Sequence, residues 1–159
     1  MSKLKKALGK KFEDNKLSIM TRTFELGGHT FKVRVPSVTE IEKIYEYFKN
    51  PNEEDVEKNY QDLTKDLLNI KNNNPDGVEY KDNDIIVEGR SMRETAKNKT
   101  ILQYRITEYF KFLIPEHGES LADLEYKDIE DEFPLAIQLS IVDGINEAIS
   151  PGYKETRSK

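Results

Sequence analysis

The 159-residue chain has no cysteine, no tryptophan and only two histidines. Without cysteine, disulfide staples, thiolate metal sites and thiol nucleophiles are excluded outright. Neither His29 nor His117 has a ligand partner at metal spacing. No stretch approaches the roughly 20 apolar residues of a membrane span, and the Lys-rich opening MSKLKKALGKKFEDNKLSIM lacks the apolar run of a secretory signal. The motifs H-E-x-x-H, G-x-S-x-G, G-x-x-x-x-G-K-[ST] and G-x-G-x-x-G are missing as well. The nearest glycine cluster, Leu26-Gly27-Gly28-His29, is better explained by a tight turn. Asp82, Asp84 and Glu88 do not make a twelve-residue calcium loop. Glu130, Asp131 and Glu132 are consecutive, so they point around a helix as a solvated face and not toward one acid/base couple. These absences argue for a binding protein with no catalytic centre, cofactor or metal, made and kept in the cytoplasm and not expected at a membrane.

What is present begins with uneven charge. The net charge is −5, but residues 1 to 20 hold six lysines against Glu13 and Asp14, a net of +4. Residues 50 to 88 and residues 116 to 132 each carry a net of −7. Duplex binding is dominated by phosphate neutralisation, so this acidic body makes nucleic acid a poor partner. Within the basic segment, Leu4, Ala7, Leu8 and Phe12 recur at helical spacing, with Gly9 interrupting them. A helix docking on a membrane surface or a partner has this pattern, and so does a frayed, solvated end. We read residues 1–20 as a flexible basic segment, 21–150 as one mainly helical domain and 151–159 as a flexible tail.

Residues 22 to 35, RTFELGGHTFKVRV, alternate apolar and polar around Gly27-Gly28, the pattern of a hairpin. Phe24, Leu26, Phe31, Val33 and Val35 should face the core, and Arg22, Lys32 and Arg34 the solvent. Pro36 ends the strand and Ser37-Val38-Thr39-Glu40 supplies a capping box. The helix it opens carries Ile41, Ile44, Tyr45 and Phe48. A second helix over 53–71 has Val56, Tyr60, Leu63, Leu67 and Ile70 on one stripe, and a loop follows over Asn72 to Gly77. Residues 78–88 suggest a second small hairpin across Asp82-Asn83. Ser91-Met92-Arg93-Glu94 caps the longest helix, about 91–114. An acidic connector with one short helix, Leu121 to Tyr126, leads to Pro134 and a last helix ending at Ser150. The fold expected is α+β, mainly α: an N-terminal hairpin on a bundle of about four helices.

Two helices locate the core. The last one spreads Leu135, Ile137, Leu139, Ile141, Val142, Ile145, Ala148 and Ile149 over an arc of roughly 200°, which predicts burial against more than one neighbour. The longest helix divides its apolar residues into two stripes, Leu102, Ile106, Tyr109 and Leu113 on one side and Ile101, Tyr104 and Phe112 on another. Either the helix lies between two layers of its own fold, or the second stripe lines a partner groove or an oligomer interface. On the second reading Ile101, Tyr104 and Phe112 are the candidate partner-binding residues.

The block from Arg22 to Tyr47, RTFELGGHTFKVRVPSVTEIEKIYEY, sets an L-G-G-x-x-F hairpin before a capped helix and acidic helices. With the closing segment Asp131 to Ser150, DEFPLAIQLSIVDGINEAIS, it resembles the tail assembly chaperones of long-tailed, siphophage-type bacteriophages. The resemblance covers about a third of the chain. It implies a protein that binds the long, apolar, helical tape measure protein in the bacterial host cytoplasm and keeps it soluble until the tail tube forms. It also implies correspondence to the short form of chaperones often made in two lengths by frameshifting. A homo-oligomer is compatible with the same reading. The alternatives are a structural tail-completion or adaptor protein retained in the virion, and a nucleic-acid-associated phage regulator that uses the lysine-rich N-terminus.

Overall fold

The computed structural model describes residues 3–152. In chain order the elements are α1 (Lys3–Ile19), β1 (Thr21–Leu26), β2 (His29–Arg34), α2 (Val38–Lys49), α3 (Glu53–Asn69), a 3-10 turn (Lys71–Asn73), β3 (Val78–Tyr80), β4 (Ile85–Val87), β5 (Arg90–Ser91), α4 (Met92–Phe110), α5 (Tyr126–Glu132) and α6 (Leu135–Ile149). The fold is α+β and mainly α, with the hairpin ahead of most of the helices. Among the described residues six α-helices form: the four expected of the bundle, α5 in the acidic connector where one short helix was expected, and α1, which is an addition. The short helix of the acidic connector starts at Tyr126, where the expected one would end, because the Asp128 carboxylate accepts from the Glu125 amide at 2.9 Å and caps the turn there. Contacts group the chain into two compact units. One holds the residues up to Ile41 and from Ile106 on, and the other spans Glu42–Arg105.

In the first unit β1 and β2 pair antiparallel with Phe24 opposite Phe31 and Leu26 opposite His29. Gly27 and Gly28 take φ of +60° and +81°, which L side chains rarely adopt and which a two-residue hairpin turn requires. Val33 is fully buried, and Phe24 and Phe31 stack with centroids 4.9 Å apart. The solvent face expected of the hairpin needs correcting at two residues. Arg22 stands opposite Val33 and, by the period of two, shares the face of Phe24 and Leu26. Its guanidinium donates to the Ala148 and Ser150 carbonyls at 2.8 and 2.9 Å, closing the C-terminus of α6. Arg34 does lie on the other face, but it makes a two-pronged contact with Glu40 at 2.9 and 3.0 Å and covers the Phe112 ring at 5.6 Å.

The helix expected over 91–114 stops at Phe110, because the chain beyond it serves the open edge of β2. The Arg34 amide donates to the Phe112 carbonyl and the Ile114 amide donates to the Lys32 carbonyl, each at 2.8 Å, with Val33 bridged to Leu113. The hairpin packs on α6, where Gly144 lets the Phe24 ring approach so closely that a Cβ would overlap it. Ile141, Val142, Ile145 and Ala148 are buried on that helix with Gln138 among them. Gln138 is satisfied by accepting from the Tyr126 hydroxyl at 2.8 Å and donating to the Phe133 carbonyl at 2.9 Å, as a buried amide must be.

In the second unit, Asn52 caps α3 by accepting from the amides of Glu54 and Asp55. The residues α3 buries are Asn59 and Thr64, while Val56, Tyr60, Leu63 and Leu67 are half-buried and Ile70 is exposed. Asn59 donates to Thr100 Oγ1 at 2.8 Å and to Gln103 Oε1 at 3.1 Å, so polar pairing joins α3 to α4 where an apolar stripe was expected. The second hairpin forms as expected, and β5 extends it to a three-stranded meander turning at Glu88 and Gly89, both with positive φ. The meander ends in the cap of α4. Ser91 Oγ accepts from the Glu94 amide at 3.1 Å, and Asp84 accepts from Ile85 N, Ser91 Oγ and Arg93 N. Partial burial pushes the Asp84 carboxyl up, but the hydrogen bonds from Ser91, Arg93 and Ile85 outweigh it and hold the group below the ordinary carboxylate range.

Candidate functional site

The three candidates from the longest helix do not form one surface. Ile101 and Tyr104 belong to the second unit and Phe112 to the first, beyond the end of α4. Phe112 is 3% exposed and packs on Tyr109 at 5.8 Å between centroids. Its place in the partner-binding stripe is therefore corrected to core: the helix that would have carried it outward has already turned into the edge of the β1–β2 sheet.

Ile101 and Tyr104 are half-buried. The Tyr104 ring stacks on exposed Tyr47, with centroids 4.6 Å apart and planes 11° apart. Its hydroxyl donates to Asp55 Oδ2 at 2.5 Å and accepts from the Asn52 amide at 3.0 Å. Burial, and then the bond to the Asp55 carboxylate, push the phenol above its ordinary value, so it stays a neutral donor. Tyr104 thus ties α4 to the start of α3 through its hydroxyl, while its ring lies on that of exposed Tyr47.

Two concave sites accompany these elements. In the first unit an open groove of about 510 Å³ runs beside the hairpin, lined by Phe31, Leu113, Ile114, Pro115 and Leu121, with His29 edge-on to Phe31 at 4.6 Å. In the second, a cavity of about 560 Å³ is lined by Lys49, Glu53, Glu57, Arg93 and Lys97. Arg93 is committed there: it meets Glu57 at 2.7 Å and lies 3.9 Å from the centroid of the Tyr60 ring. Among the described residues no group of three His, Asp or Glu is placed to hold a metal ion, and no helix is long and apolar enough to cross a membrane.

The apolar surface that the sequence reading missed is on α6. Its buried residues fall within an arc of about 120°, at 100° per residue: Gln138, Ile141, Val142, Ile145 and Ala148. The remainder of the 200° arc is not covered. Leu135, Ile137 and Leu139 are 50%, 40% and 37% exposed. Leu135 and Leu139 sit one turn apart on a single row that continues to exposed Asp143 and Glu147. Glu130, Asp131 and Glu132, exposed as expected, end α5 just before Leu135. In the same unit α1 buries no residue and exposes Leu4, Leu8, Leu17 and Ile19. The signal available in the sequence was the width of the α6 arc itself, which exceeds what one neighbouring layer covers.

Compared with protein-family models, with curated proteins and with solved structures, the chain matches none.

Proposed function

We propose that this chain is a non-enzymatic binding protein whose α6 face takes an apolar helical segment of another protein. Following the resemblance of its hairpin and closing helix, we propose further that it is a phage tail assembly chaperone. In that role it holds the tape measure protein in solution in the host cytoplasm. The supporting observation is that α6 leaves Leu135 and Leu139 at the surface on one row, continued by exposed Asp143 and Glu147 and preceded in the chain by exposed Glu130, Asp131 and Glu132. Exposed apolar residues give an amphipathic client helix a surface to bury on, and the like charges around them oppose direct face-to-face aggregation of the free protein. Ile101 and Tyr104 with Tyr47 offer a smaller half-buried patch in the second unit, and they stand as a secondary contact.

The test is co-expression of the full chain with fragments of a candidate tape measure protein, measuring the soluble fraction of each fragment. Wild type should raise that fraction, and Leu135→Asp with Leu139→Asp should abolish the gain while the chain itself stays folded. A soluble fraction unchanged by the wild-type chain for every fragment would remove the client. Recovery of the chain from purified particles by mass spectrometry would favour a retained tail component instead.

A further inference from the structure

Two apolar surfaces of the first unit carry opposite charge. On α1, Leu4 and Leu8 lie one turn apart and exposed, among exposed Lys3, Lys6, Lys10 and Lys11, with Lys5 held to Glu13 at 3.4 Å. On α6, Leu135 and Leu139 lie one turn apart and exposed, with Asp143 and Glu147 continuing their row and Glu130, Asp131 and Glu132 just ahead. The first region has a net charge of +4 over residues 1 to 20, and the acidic stretch leading into α6 has −7 over residues 116 to 132. Both sets of leucines remain exposed within one chain, so its own α1 does not cover its own α6. Gly9, at φ 80° and ψ −177°, breaks α1 and leaves residues 3–8 as a short arm with nothing buried. So short a helix has little stability by itself and gains it by laying its apolar side on another surface.

We propose that α1 of one copy docks on the α6 face of a second copy of this chain. The leucine pairs match in spacing, and lysines meet the acids that border Leu135 and Leu139. Two α6 faces would set acid against acid and two α1 arms lysine against lysine, so the complementary pairing is the one that attraction favours. The inference concerns the α6 face of the proposed client site but does not depend on a client: it describes the pure protein, and its test contains nothing else.

Sedimentation equilibrium of the full chain, from about 1 to about 100 μM, spans the affinities of small interfaces. Wild type should associate, with Kd rising roughly tenfold between about 0.05 and 0.5 M salt as the charges are screened. Leu4→Asp with Leu8→Asp, and separately Leu135→Asp with Leu139→Asp, should each give monomers. An equimolar mixture of the two should form a 1:1 dimer, because each retains the half the other lacks. All four substituted leucines are exposed, and far-UV circular dichroism checks that each variant keeps the wild-type helix content. A charge-swapped pair, Lys6→Glu with Lys10→Glu mixed with Glu130→Lys and Glu132→Lys, should associate as a mixture more tightly than either variant alone. Wild type that stays monomeric at every concentration would overturn the proposal. So would either folded leucine variant associating as wild type does, or a mixture that fails to restore the dimer.

Discussion

Gly144 and Asp84 are positions where one residue decides whether two elements can meet. A Cβ at Gly144 would overlap the Phe24 ring, which is itself stacked on Phe31. Alanine gains up to about 1 kcal/mol of helix propensity over glycine, yet overpacking a close contact costs roughly 1–3 kcal/mol. Gly144→Ala should therefore destabilise the chain, read as a lower midpoint in urea, and Phe24→Leu in the same background should recover part of the loss. A midpoint raised by Gly144→Ala would show that the hairpin does not rest on α6. Asp84 closes the meander onto α4 with three accepted hydrogen bonds. Asp84→Ala should cost about 0.5–2 kcal/mol, the range of a lost helix cap. Its folded-state carboxyl lies below the unfolded value of about 3.9. The stabilisation is thus present above that pH and lost as pH falls through the lower folded value. Wild type should lose stability more steeply than Asp84→Ala on acidification below about pH 4, and parallel pH profiles of the urea midpoint would refute the role.

At the scale of the element, α4 and α6 show how an apolar pattern becomes either core or surface. Phe112 and Tyr104 looked equivalent as members of one stripe, but the backbone after Phe110 leaves the helix and pairs with β2. Phe112→Ser should remove a buried ring and cost roughly 3–5 kcal/mol. Tyr104→Ser should cost less, because the Tyr104 ring is half exposed and what is lost is chiefly the stack on Tyr47 and the bonds to Asp55 and Asn52. Equal losses for both in urea denaturation would return Phe112 and Tyr104 to one class. The α6 arc was legible as apolar but not as half-covered. Coverage depends on which neighbours arrive, and where the hairpin meets α6 its Phe24 ring lies against Gly144.

For the whole molecule, the two units differ in what fills them. Val33, Ile106, Tyr109, Phe110, Phe112, Ile129, Ile141, Val142, Ile145 and Ala148 are buried in the first. Phe48, Ile85 and Ala96 are their counterparts in the second, beside buried Asn59, Thr64 and Thr100. Opening free energy follows buried apolar contact, so the most protected amides of α3 and the meander should exchange with solvent faster than those of α6. Equal protection of the slowest amides in both units would mean that they open together.

Period-two alternation around Gly27-Gly28, the boxes at Ser37 and Ser91, the prolines and the spacing of apolar residues were sufficient for the first hairpin, most of the helices and the second small hairpin though not its third strand, because caps, turns and periodicity act between residues a few positions apart. The same locality made the solvated acids of α5 readable. The reach of Arg22 to the end of α6, the pairing of Asn59 with Thr100, the turn of Phe112 into the core and the uncovered leucines of α6 join residues tens of positions apart, or depend on where a neighbour stops. No local pattern encodes those distances. Burial is a property of the assembled surface, so it was decided only when the chain had packed.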